Sequence, residues 1–64
     1  MSVFAKRLRE ARQRKGVTQE WMAERLNIHR TSYTKYETAT AESSLQMFRA
    51  IVKLLDVDPM DLLE

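Results

Sequence analysis

Apolar residues recur at helical spacing along most of the chain. Phe4, Leu8 and Ala11 follow the i, i+4, i+7 pattern of one helix face, which predicts a helix over residues 3–15. Gly16 follows directly, at the position where a left-handed residue commonly ends a helix. Three more apolar stripes follow, at Met22, Ala23 and Leu26, at Tyr33 and Tyr36, and at Leu45, Phe48, Ile51, Val52 and Leu55.

Polar residues at the breaks between these stripes predict where the helices begin. A side-chain oxygen that can accept a hydrogen bond from the first turn precedes three of the later segments. The third helix, over residues 30–36, follows His29 instead, so its start is weakly specified. The predicted caps are Thr18, Ser43 or Ser44, and Asp58, the last followed by Pro59 at the start of a helix through Leu63. The pattern therefore predicts an all-α fold of five helices.

Length and composition limit what this fold can be. With 64 residues and no cysteine, the chain is expected to form one compact domain, residues 1–64, without disulfides or thiolate metal sites. It has a single histidine, His29, and no catalytic motif, so we expect no metal, no cofactor and no enzymatic activity. Apolar runs are too short to cross a membrane, and no signal peptide is recognisable, so a cytoplasmic location is expected.

Residues 18–37 form the most informative stretch. They predict two short helices joined by a break of a few residues around Asn27, which is the pattern of a helix-turn-helix. Asn tolerates the left-handed conformation that such a corner needs. The outward positions of the second helix are polar or basic and can hydrogen-bond to base edges or phosphates: Arg30, Thr31, Thr34 and Lys35.

Charge is unevenly distributed between the two halves of the chain. Residues 1–36 contain nine Lys or Arg against three Glu, whereas residues 37–64 contain two against six acidic residues. The first half therefore carries a positive field that a polyanion would feel. Simple solvation of the first helix would produce the same bias, so charge alone does not decide the function.

The ordered motifs of the chain resemble the Cro and lambda-repressor type of helix-turn-helix, often called the XRE family. Leu8-Arg9-Glu10, Lys15-Gly16-Val17-Thr18-Gln19-Glu20 and Met22-Ala23-Glu24 occur in the family's order, followed by Tyr36-Glu37 and two further helical segments. The resemblance covers nearly the whole chain. It implies a compact five-helix domain that binds double-stranded DNA as a homodimer on a palindromic operator, encoded by a bacterium or a phage. It implies a transcriptional regulator, a repressor in preference to an activator, without a small-molecule ligand.

The resemblance also implies roles for individual residues. Arg12 and Glu37 match a pair that forms a buried ion pair in some family members. Gln19 matches a donor to a phosphate at the edge of the groove. The expected base-reading residues are Arg30, Thr31, Ser32, Thr34 and Lys35, and the expected phosphate-binding residues are Thr18, Gln19, Arg14, Lys15 and His29.

Other positions depart from the family pattern or remain open. Residues 38–42 lack the glycine and basic residues that usually follow the third helix, which reduces the expected phosphate contacts there. Met47 and Leu54 are apolar where the family is commonly polar, and together with Met60 they favour a homodimer interface over a wider core. Tyr33 and Tyr36 are expected to point inward with their hydroxyls at the rim. Three alternatives keep the fold but change the role: a restriction–modification controller, an antitoxin, or a protein–protein module with negligible affinity for DNA.

Overall fold

The computed structural model describes residues 3–38 and 43–63, and it is helical throughout these ranges apart from the connections. The all-α prediction is confirmed. The five helices are α1 Val3–Lys15, α2 Gln19–Leu26, α3 Arg30–Glu37, α4 Leu45–Leu55 and α5 Pro59–Leu63. The third helix therefore ends one residue later than the sequence pattern indicated.

The helix ends follow the local chemistry of the sequence. The Thr18 hydroxyl accepts a hydrogen bond from the Trp21 amide at 2.9 Å, and the Asp58 carboxylate accepts one from the Met60 amide at 2.9 Å. At the start of α4, Ser44 rather than Ser43 is the cap, because its hydroxyl accepts from the Met47 amide at 3.0 Å. No side-chain cap bond forms at His29, as the sequence indicated.

Residues with a left-handed backbone conformation follow three of the helices in the described ranges. Gly16 after α1 has a φ of 81°, and Asn27 after α2 has a φ of 57°. Both were expected from the sequence. Asp56 after α4 adopts the same conformation with a φ of 54°, which the sequence analysis did not foresee. Asp and Asn are among the few residues other than glycine that enter this region readily.

All five helices contribute side chains to one core. Helix α1 packs against α3 and α5, and α2 packs against α3 and α4. The largest fully buried side chains come from all five helices: Leu8, Met22, Tyr33, Ile51 and Leu62. Because one side chain of every helix enters the same core, the position of α3 depends on the packing of the whole domain.

The apolar stripe of α4 differs from the predicted one. Leu45 was assigned to the core but is 71% exposed, so that assignment is wrong. At about 100° per residue, Leu45 lies roughly a quarter turn away from the line of Ile51 and Leu55, which are buried. Met47 and Leu54 flank the opposite edge of the stripe and are half-buried against the core. The buried face of α4 thus runs from Leu54 and Met47 on one edge to Phe48 and Val52 on the other, and Leu45 lies just outside it.

Trp21 lies on the outside of α2 and packs partly against the core. The Lys15 ammonium is 5.9 Å from the centroid of its ring, and the Arg25 guanidinium is 4.9 Å away. Since Lys15 is the last residue of α1, the indole lies back towards the end of that helix. In the ranges that the structure describes, no helix has the length and apolar character needed to cross a membrane.

Candidate nucleic-acid interface

The outer face of α3 carries the residues that the sequence assigned to base reading. Arg30, Thr31, Ser32 and Lys35 are all exposed, and Thr34 is half-buried on the side that faces α2. Tyr33 and Glu37, on the side of the helix opposite Thr31 and Lys35, are buried. The helix therefore separates a polar outer face from an inner face that fixes its position.

Glu37 is the centre of the contacts that hold α3. Its carboxylate accepts from the Arg12 guanidinium twice, at 2.7 Å from Nε to Oε2 and at 3.3 Å from Nη2 to Oε1. The Tyr33 hydroxyl donates to Oε2 at 2.5 Å, and the Gln19 amide donates to Oε1 at 3.2 Å. Both carboxylate oxygens are thus paired, and three helices meet at one buried charge.

Arg12 extends this network to the turn before α2. Its Nη1 donates to the Val17 carbonyl oxygen at 2.8 Å, while the rest of the guanidinium faces Glu37. The structure therefore contains the ion pair that the family resemblance implied, and the side chain of Glu37 is only 1% exposed within it. Among the described residues, no buried polar side-chain atom lacks a hydrogen-bond partner.

Burial and hydrogen bonding act in opposite directions on the pKa of Glu37. Burial alone would raise it, but hydrogen bonds from Arg12, Tyr33 and Gln19, together with the charge of Arg12, outweigh burial and lower the pKa below its ordinary value. The pKa of the Tyr33 phenol is raised, first by burial and then by its hydrogen bond to the Glu37 carboxylate. At neutral pH the pair is an ionised carboxylate and a neutral phenol.

One sequence expectation about this region needs revision. The Tyr33 hydroxyl was expected at the rim, but the side chain is fully buried and its hydroxyl is bound to Glu37, so that expectation is wrong. The tyrosine ring packs edge-on against Tyr36 with centroids 6.4 Å apart, which closes the inner side of the helix. Gln19, expected to bind a phosphate, uses one of its two amide hydrogens for Glu37.

The expected phosphate-binding residues occupy different parts of the surface. Thr18, Gln19 and His29 stand at the beginnings of α2 and α3, where backbone amides point outward. Lys15 lies over the Trp21 ring at the end of α1. Arg14 is on the flank of α1 that faces α5, where it lines a shallow depression with Arg7, Met60 and Asp61. The structure thus brings three of these residues to the helix-turn-helix and leaves Arg14 on another side.

A second surface lies along α4 and α5. Met60, one of the three residues expected at a dimer interface, is 51% exposed, and Leu63 beside it on α5 is 56% exposed. Met47 and Leu54 are half-buried, which agrees with the alternative of a wider core. A shallow groove on the other edge of α4 is lined by Phe48, Arg49, Val52, Lys53 and Pro59, the last of which precedes Met60. Leu63 was not among the residues predicted for this surface, although its position in a terminal amphipathic turn could have marked it.

Residues 3–38 and 43–63 contain no group of three or more His, Asp or Glu side chains that could hold an ion. The segment at residues 39–42, where the sequence departs from the family pattern, lies outside the described residues.

Comparison with known proteins agrees with this geometry. A family model described as a helix-turn-helix domain matches residues 3–64, and the chain belongs to this family, of the XRE type of DNA-binding proteins. It is 36% identical over 55 residues to the uncharacterised HTH-type transcriptional regulator YqaE of Bacillus subtilis, covering 86% of this chain and 47% of the relative. It is 38% identical over 55 residues to the SPbeta prophage-derived uncharacterised HTH-type transcriptional regulator YonR of the same organism, covering 86% and 51%.

The chain spans about half the length of these curated relatives. No solved structure matches it significantly.

Proposed function

We propose that this chain binds double-stranded DNA in a sequence-specific manner, as the DNA-binding domain of a transcriptional repressor. The observation that carries the proposal is the division of α3 into an exposed face with Arg30, Thr31 and Lys35 and a buried face held by Glu37. A helix with a polar outer face, projected by a fixed inner face, can enter the major groove and present side chains to base edges.

The direct readers in this proposal are Arg30 and Lys35 for guanine, with Thr31, Ser32 and Thr34 beside them. Lys or Arg can donate to guanine O6 and N7, and threonine can offer either a hydroxyl or a methyl group. The beginnings of α2 and α3 supply outward backbone amides for phosphates, near Thr18, Gln19 and His29. The names of the two relatives, both HTH-type transcriptional regulators, support this assignment.

We further propose that the protein acts as a homodimer on a palindromic operator and represses by occluding a promoter. Exposed Met60 and Leu63 next to the groove at Phe48 and Pro59 are apolar groups that a second copy could cover. Asp61 lines a depression with Arg7, Arg14 and Met60, so the surface around Met60 carries charges of both signs. Met47 and Leu54 would contribute only their exposed edges.

DNA binding is tested by isotherms on random and selected duplexes over a series of salt concentrations. A DNA-binding domain should lose affinity steeply with salt, with a log–log slope of about −0.9 per phosphate contact, and enrich a palindromic sequence from a random pool. Lys35→Ala should relax the preference at one or two base pairs. Lys6→Ala, which removes the same charge from the exposed side of α1, is the matched control and should leave the sequence preference unchanged. Flat salt dependence without enrichment would instead favour a protein–protein module.

The dimer is tested separately by sedimentation equilibrium of the chain at tens of micromolar. A dimer is expected for the natural sequence, and Met60→Lys should shift it to monomer because it would bury an unpaired charge. Gln46→Lys, which adds the same charge at an exposed position of α4, is the control. A monomeric natural sequence at that concentration would refute the interface.

A further inference from the structure

The two threonines on the outer side of α3 differ in what holds their hydroxyl groups. The Thr34 oxygen lies 2.9 Å from the Arg30 carbonyl oxygen and 3.2 Å from the Gln19 side-chain oxygen. No such partner is present for the Thr31 hydroxyl among the described residues. Both side chains belong to the helix that reads DNA in the proposal above, so this difference bears on how each would read a base.

The orientation of the Gln19 amide follows from the charge of Glu37. An ionised carboxylate can only accept hydrogen bonds, and the Gln19 nitrogen donates to Glu37 Oε1 at 3.2 Å. The Gln19 oxygen must therefore point the other way, towards Thr34. A buried ion pair thus determines that Thr34 meets an acceptor rather than a donor.

Both neighbours of the Thr34 hydroxyl are acceptors, and a hydroxyl has a single proton. Whichever of the two oxygens receives it, that proton is used inside the protein. The hydroxyl cannot then donate to guanine O6 or N7 or to thymine O4, which are the acceptors in the major groove. The oxygen keeps lone pairs that can accept a hydrogen bond. Because it is turned towards α2 and the Arg30 carbonyl, however, the methyl group is the part of Thr34 left for an external contact.

We propose, on the basis of the DNA-binding function above, that Thr34 is a specificity-determining residue that reads thymine through its methyl group, while Thr31 reads through its hydroxyl. Gln19 is the positioning residue that helps to hold the Thr34 hydroxyl inward. The C5-methyl group of thymine is the apolar feature of the major groove that a threonine methyl fits. One residue type on one helix therefore performs two kinds of recognition.

Paired substitutions at the two positions separate the methyl group from the hydroxyl. Valine keeps a methyl group and removes the hydroxyl, whereas serine keeps the hydroxyl and removes the methyl group. The natural protein and its Thr34→Val, Thr34→Ser, Thr31→Val and Thr31→Ser variants are each used to select duplexes from the same random pool. Melting temperatures of all five proteins identify any loss of binding that comes from unfolding.

The expected result is opposite at the two positions. Thr34→Val should keep the natural preference. Thr34→Ser should reduce the preference for thymine about fourfold at one base pair of each half-site. That factor corresponds to about 0.8 kcal/mol for one buried methyl group. Thr31→Val should change the preference at a different base pair, and Thr31→Ser should preserve it there.

Several results would overturn the inference. Loss of the thymine preference in Thr34→Val with retention in Thr34→Ser would show that the hydroxyl is the reader. An unchanged profile in both Thr34 variants would show that Thr34 does not reach a base, and an unchanged profile in Thr31→Val would refute hydroxyl reading at Thr31. If the natural protein selects no sequence at all, the proposed function fails as well, and the natural-sequence arm alone reveals that case.

Discussion

Replacing Glu37 with alanine tests whether one buried carboxylate holds α3 in place. The substitution removes the acceptor for Arg12, Tyr33 and Gln19 at once. Breaking a buried ion pair by removing one partner costs roughly 3–5 kcal/mol. The Arg12 side chain is 13% exposed and keeps its bond to the Val17 carbonyl, so water can reach part of the remaining charge. We therefore expect a loss near the lower end, about 3 kcal/mol.

That loss is large for a domain of this size. A chain of 64 residues is expected to have a free energy of unfolding of roughly 3–10 kcal/mol. Each kcal/mol lowers the melting temperature of such a domain by about 4–8 °C. Glu37→Ala should therefore lower the melting temperature by at least about 12 °C, or leave the chain unfolded at 25 °C.

Thermal unfolding followed by far-ultraviolet circular dichroism measures this directly. The control is Glu10→Ala, which removes a carboxylate from the exposed pair with Arg7, where the charged atoms are 3.1 Å apart and both side chains are more than 40% exposed. An exposed pair contributes only about 0–1 kcal/mol, so the control should melt within a few degrees of the natural protein. A Glu37→Ala variant that melts within one or two degrees of the natural protein would refute the role of the network.

Two further predictions concern pH and the first turn. Folding lowers the pKa of Glu37 from its ordinary value of 4.5. Its contribution to stability is therefore complete above that value and is lost as the pH falls through the lower folded-state pKa. The free energy of unfolding measured in urea should decline from pH 7 to pH 3, and a flat profile would contradict this prediction. Gly16→Ala should destabilise by about 1 kcal/mol in urea unfolding, from backbone strain alone, because an added Cβ would meet no atom within 4 Å; no loss would show that the turn relaxes.

Much of the fold was predictable because its causes are local. The Thr18 cap, the Gly16 stop and the Asn27 corner each depend on the chemistry of a few neighbouring residues, and all three are present. The error at Leu45 has a different origin. Periodicity shows that a stripe exists, but the width and centre of the buried face depend on where α1 and α2 lie against α4, which the sequence of α4 does not contain.

The candidate site was predictable in its composition and less so in its contacts. The exposed side chains of α3 followed from helical phase. The direction of the Tyr33 hydroxyl and the link from Gln19 to Thr34 depend on rotamers on separate helices, so no spacing along the chain reveals them. Arg14 illustrates the same point, because periodicity does not say which flank of α1 faces α5.

The attachment of α3 is unequal along its length. The hydrogen bonds that tie it to α1 and α2 involve Glu37 and Thr34, in its second half. Its first residue instead follows His29, which makes no side-chain cap bond. Substitutions at Arg30, Thr31 and Ser32 thus change the surface offered to a ligand while leaving the supporting bonds intact. Substitutions at a few exposed positions can therefore change the ligand preference of this domain without a matching loss of stability. Related chains with the same fold can in this way come to bind different targets.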